Sequence, residues 1–117
     1  MNKKIAETVL DRAGGYCELC GRPGDLALHH RKLRSQGGED EPANLVAIHH
    51  HCHNLGTNSV HLNPAMAKKT GFIVPSWAEP NEYPLTLPDG CKVLLDNLGG
   101  YTYLEEEGDD GTNRDNW

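Results

Sequence analysis

A chain of 117 residues, 37% of them hydrophobic and 13 of them glycine, has room for one compact domain but not for a deep apolar core, so a metal or an oligomer contact is expected to staple it. No apolar run approaches the length of a membrane span, and the first ten residues hold neither a continuous apolar block nor a small-residue cleavage site, which predicts a cytoplasmic protein with reduced thiols rather than a disulfide framework. The net charge of −6 argues against a nucleic-acid binder until its distribution is read: residues 105–117 carry six acids and one base, leaving eleven acids and ten bases over 1–104.

Residues 3–13 (KKIAETVLDRA) are predicted as a helix, with Ile5, Val9 and Leu10 on one face and Gly14-Gly15 as its stop. The YCELCGRPG that follows has the C-x-x-C-G form of a knuckle turn, where glycine lets the chain fold back around a metal. A strand over 26–30, a polar loop over 34–43 reversing at Gly37-Gly38, and a returning strand over 44–48 make a hairpin with a long loop. A helix starting near His51 or Cys52 is weakened by Asn54, Gly56 and Asn58. The next helix runs from Asn63, a suitable N-cap, through Pro64 to about Thr70, and Gly71 closes it. FIVPSW (72–77) reads as extended, with Trp77 as a core or flap anchor. Residues 84–104 read as two or three antiparallel strands, with a lone buried thiol at Cys91, and 105–117 as a disordered acidic tail.

All seven histidines fall between positions 29 and 61. Cys17-x-x-Cys20 precedes the hairpin and His49-x-x-Cys52 follows it, the ligand spacing of a closed tetrahedral zinc site. His50 or His51 could stand in for His49, which is preferred because it restores the x-x spacing. Such a site is structural, and its metal affinity is a large part of the folding free energy. Arg31, Lys32 and Arg34 form a basic strip, with no acid among them, compatible with phosphate contact.

The order Cys17-x-x-Cys20, His29-His30, Gly37-Gly38, Asn44-Leu45, Cys52-His53 resembles the HNH endonuclease family. By motif the resemblance covers about residues 14–64, and more loosely it reaches 104, where the chain is similar to small HNH proteins of actinobacterial phages. It implies a small α+β fold: a ββα-metal core with a zinc-knuckle clip, an N-terminal helix and a short C-terminal antiparallel β segment. The implied organisation is one nuclease domain over 1–104, with its core motif at 14–71 and the β segment at 83–104, before the tail at 105–117. The implied activity is metal-dependent hydrolysis of DNA phosphodiesters, by nicking or double-strand cutting. In that scheme His30 is the general base, and His29 and His53 bind one catalytic divalent cation (Mg²⁺, Mn²⁺, Ni²⁺ or Zn²⁺) that acts as a Lewis acid. Asn44 steadies the hairpin across from the His30 backbone, Arg31, Lys32 and Arg34 hold flanking phosphates, and the Cys17, Cys20, His49, Cys52 clip holds structural Zn²⁺.

One departure stands out. The family places a further metal histidine four residues after the first, and that position here is Thr57. His61 comes eight residues after His53, which a continuous helix would separate by ~12 Å along its axis. Read with a four-residue insertion, residues 54–60 become a loop and His61 regains the pattern as third ligand; water, Asn54 or Asn58 are the alternatives. The competing function is a non-catalytic, degenerate zinc-binding module that holds nucleic acid or a protein. The resemblance also implies a homodimer for double-strand cutting, a packaging terminase as partner, and the bacterial host cytoplasm as location if the chain is phage-encoded.

Overall fold

A computed structural model of the chain describes residues 2–55, 60 and 63–104. Helix α1 (Lys3–Ala13) leads into the knuckle, followed by strands β1 (Ala27–His30) and β2 (Leu45–Ile48) and helix α2 (Pro64–Thr70). Strands β3 (Leu85–Thr86), β4 (Lys92–Leu95) and β5 (Tyr101–Tyr103) complete a small α+β fold. β1 and β2 form an antiparallel hairpin, while β3-β4-β5 is a separate antiparallel sheet.

Local chemistry explains the α1 boundaries. The Asn2 side chain accepts the Lys4 N–H at 2.7 Å, and Gly14, at φ 65°, closes the C-terminus by donating to the Leu10 carbonyl. Val9 is fully buried against Leu45 and Ala47, with Ile5, Leu26 and Leu28 around them. Val46 and Ile48 point the other way, into the main core with Phe72, Leu85, Val93 and Leu95. β2 is therefore apolar on both faces, which is why its sequence shows no polar alternation.

A buried ion pair joins these layers. Arg12 donates from Nε and Nη2 to the two Glu18 oxygens at 2.9 and 2.8 Å, and from Nη1 and Nη2 to the carbonyls of Pro42 and Leu45. Glu18 also accepts the Ala47 N–H and the Tyr101 hydroxyl. Burial, then the Glu18 charge, pushes the Tyr101 phenol well above its ordinary pKa, so it stays a donor. One carboxylate thus ties the knuckle to α1, β2 and β5.

Four expectations are corrected here. Residues 72–77 are irregular rather than extended: Val74 donates to the Arg31 carbonyl at 2.8 Å, and a turn closes from Ala78 N–H to the Pro75 carbonyl. The reason is that the Arg31 guanidinium claims the carbonyls of Gly71, Pro80 and Tyr83, which bracket this stretch, and Pro75 brings no N–H. Trp77, displayed on that turn, is 81% exposed and anchors no core. Cys91 is exposed, because the turn preceding β4 extends to it: its N–H bonds the Asp89 side chain and its carbonyl accepts from Leu87. The Asn63 side chain makes no capping bond, Pro64 itself opening α2, and Gly71 at φ 87° ends the helix as expected.

Candidate active site and metal centre

The knuckle and the end of the hairpin bring Cys17, Cys20, His49 and Cys52 together, their ligand atoms all within 4.8 Å of one another. Cys17 Sγ and Cys52 Sγ are 3.8 Å apart, and His49 Nδ1 lies 3.3 Å from Cys20 Sγ and 3.9 Å from Cys52 Sγ. A tetrahedron with zinc–sulfur bonds of ~2.3 Å has edges of about 3.8 Å, so these separations fit a zinc knuckle. His49 is the histidine in this cluster; its Nε2–H donates to the Pro23 carbonyl at 3.0 Å and leaves the lone pair on Nδ1, facing the sulfurs. His50 and His51 are exposed and outside the group.

The two deeper thiols of this cluster respond in opposite ways to their surroundings. Burial acts to raise the Cys17 pKa, but N–H donors from Cys20, His49 and Leu19 outweigh it and hold the thiol below its ordinary value. Cys52 is pushed up to about 12, by burial first and then by its neighbour Cys17. Thiolates packed this closely repel one another unless a divalent ion sits between them.

The hairpin delivers the second centre. His29 is buried at the end of β1, its Nε2–H donating to the Phe72 carbonyl at 2.8 Å, which fixes the tautomer with the lone pair on Nδ1. Its ring meets that of His53 edge-on, with centroids 4.7 Å apart. Cys52-His53 lie in a single wide helical turn, His51–Leu55. Val60 donates to the Cys52 carbonyl at 2.9 Å. Thr57, Asn58 and His61 lie outside the described residues, as does the Asn54 side chain. Among the described residues, the Cys17 group is the one set of three or more potential ligands gathered in one place.

His30 follows on the same strand, partly exposed, and donates from Nε2 to Asp40 Oδ1 at 2.7 Å. Asp40 was not singled out from sequence: it comes from the hairpin loop, where no periodicity relates position 40 to position 30. The hydrogen bond from His30, with a smaller contribution from Arg34 at 3.5 Å, holds the Asp40 carboxyl below its ordinary range. Asn44 is fully buried, but it does not reach the His30 backbone. Its Oδ1 accepts the Lys32 N–H at 2.8 Å, and its Nδ2 donates to the carbonyls of Lys32 and Glu39. Asn44 thus closes the loop that carries Asp40 back toward His30.

The basic strip is divided. Arg31 is 1% exposed, and its guanidinium donates to four carbonyls: Gly71, Ala43, Pro80 and Tyr83. Burial and then the Arg12 charge pull its pKa down to about 9, which still leaves it charged at neutral pH. Lys32 is buried too and donates from Nζ to the Ala78 carbonyl at 2.9 Å. Neither side chain reaches the surface, which corrects their reading as phosphate contacts; after two histidines in a strand, alternation alone could not reveal this burial. Arg34 does face solvent, its side chain 71% exposed. A cleft of about 420 Å³ opens in front of His29 and His30, with Lys68 and Trp77 on its rim.

Residues 17–59 match the family model described as HNH endonuclease. The match takes in Cys17, Cys20, His29, His30, Asn44, His49, Cys52 and His53, and ends before His61. Over that stretch the chain is similar to HNH endonucleases. No curated protein and no solved structure matches the chain. No helix among the described residues is long and apolar enough to cross a membrane.

Proposed function

We propose that the protein is a metal-dependent DNA endonuclease that uses His30 as its general base. The observation that carries this reading is the His30–Asp40 pair, set one residue from a histidine whose ring abuts that of His53. With Nε2–H committed to Asp40, the basic nitrogen of neutral His30 is Nδ1, which takes the proton from the attacking water. Asp40 fixes that tautomer and balances the imidazolium that forms, so it is a positioning residue. His29 and His53 hold a divalent cation, and the return of the chain at Val60 to Cys52 favours His61 over water, Asn54 or Asn58 as the third ligand. When bound, that ion supplies charge stabilisation at the phosphate and the leaving oxygen. Structural zinc sits in the Cys17, Cys20, His49 and Cys52 clip. Arg34 and Lys68, both exposed, take the phosphate contacts in place of Arg31 and Lys32.

The test uses zinc-loaded, folded protein on supercoiled plasmid with Mg²⁺, Mn²⁺, Ni²⁺ or EDTA, beside a His30→Ala variant. Nicking that needs a divalent ion and falls by ~10²–10⁴-fold in the variant is the expected result. DNA binding without cutting under any ion would replace the nuclease by the degenerate zinc-binding module.

A further inference from the structure

We infer that Trp77 is a stacking platform for an unpaired nucleobase, which gives this site a preference for single-stranded or frayed DNA over intact duplex. The inference rests on the reading of the cleft as a DNA site and adds to it the form of DNA it takes.

Trp77 is 81% exposed on the wall of the cleft that His29 and His30 also line. It is not a loose surface residue. Its turn is pinned beside the catalytic strand by both buried cations: Lys32 Nζ holds the Ala78 carbonyl, and Arg31 holds the Pro80 carbonyl just beyond. On the near side, Val74 donates to the Arg31 carbonyl. The indole also meets the Tyr83 ring edge-on at 6.4 Å, and the Tyr83 hydroxyl donates to the Lys68 carbonyl. The residues directly after His30 therefore spend two otherwise solvent-seeking side chains on fixing the segment that displays a large aromatic in water. A ring held this firmly and left this bare is suited to a flat partner.

Charge and shape define that partner. Lys68 lines the cleft with Gln36 and the exposed Leu33, and among the described residues no carboxylate lines it. A cationic groove carrying an exposed aromatic is the chemistry that binds single strands, with phosphates on the cations and a base on the ring. Bases inside a duplex have both faces covered by their neighbours, so the indole can stack only where a base is unpaired, at a flap, a gap or a melted end.

The experiment measures binding apart from cutting, in full-length, zinc-loaded His30→Ala protein with Trp117→Phe, so that Trp77 is the sole tryptophan. An unlabelled oligothymidylate and a hairpin duplex of equal phosphate number are titrated while indole fluorescence is followed. The expected outcome is quenching by the oligothymidylate with little change on the duplex. In a parallel anisotropy assay with dye-labelled versions of both DNAs, Trp77→Ala should weaken oligothymidylate binding by about 5- to 150-fold, and Trp77→Phe should recover most of it. Duplex affinity should be the same in all three. Absence of quenching, or equal loss on both DNAs in Trp77→Ala, overturns the inference. Failure of the nuclease reading shows elsewhere, as an uncut plasmid, and leaves this binding result intact.

Discussion

At the scale of single residues, two arginines three positions apart have opposite fates. Arg31 satisfies four buried carbonyls that would otherwise lack donors, so removing it strands them and opens a cavity. Arg31→Met is expected to destabilise the fold by about 3–5 kcal/mol in urea unfolding, with little preserved by Arg31→Lys, whose ammonium cannot span four acceptors. Arg34→Ala should leave the unfolding midpoint unchanged and reduce the salt dependence of DNA binding; a stability loss as large as that of Arg31→Met would refute the division. Asp40 gives a second test. Its carboxyl is held below the ordinary range by the His30 hydrogen bond, so the pair stabilises the fold fully above the unfolded aspartate pKa of about 3.9. That stabilisation fades as pH falls through the lowered folded value. Carboxyl NMR should place the Asp40 midpoint below 3.9, and His30→Ala should return it upward. An Asp40 that titrates identically in both proteins would remove the pair as a functional unit.

At the scale of elements, the hairpin loop is the part that turns a pair of strands into a site. Gly38 is required there for contact rather than for dihedral freedom, because a Cβ on it would lie 1.9 Å from the Lys32 carbonyl oxygen and 2.9 Å from Asn44 Nδ2. Gly38→Ala must therefore push the loop off Asn44 and carry Asp40 away from His30. We expect a loss of about 1–3 kcal/mol in unfolding free energy together with a fall in plasmid nicking at temperatures where the protein stays folded. Unaltered nicking in a folded variant would mean that the loop does not position the base. The legibility of these elements from sequence follows the same physics. α1 and the two hairpin strands could be read because caps, stops and apolar runs are local signals. The Cys17, Cys20, His49 and Cys52 cluster could be read because a metal site imposes a short, regular spacing on the residues that would hold it. Asp40, the burial of Arg31 and Lys32 and the exposure of Trp77 could not, since each depends on which loop crosses which strand.

At the scale of the molecule, the candidate metal clip closes the chain around its own hairpin: two of its residues precede β1, two follow β2, and Cys17 belongs to the main apolar core. Removing the ion would leave cysteines that take up protons in place of their metal bonds and would release the knuckle from the hairpin. The two apolar clusters are shallow for a chain of this length, and a small domain has only about 5–15 kcal/mol of net stability, a range that a structural zinc site at ~10–16 kcal/mol can supply outright. A strong chelator should therefore abolish far-UV circular dichroism in one cooperative step at room temperature, and added zinc should restore it. Cys17→Ser and Cys52→Ser should reproduce the loss, while Cys91→Ser, at an exposed thiol outside the cluster, should leave the melting curve where it was. Because β1 and its histidines are paired to β2 just ahead of His49, the same treatment should abolish DNA cutting even when excess Mg²⁺ is present. A zinc-free protein that kept its melting temperature would show instead that the Arg12–Glu18 pair and the two cores hold the hairpin by themselves, with the cysteines left to some other chemistry.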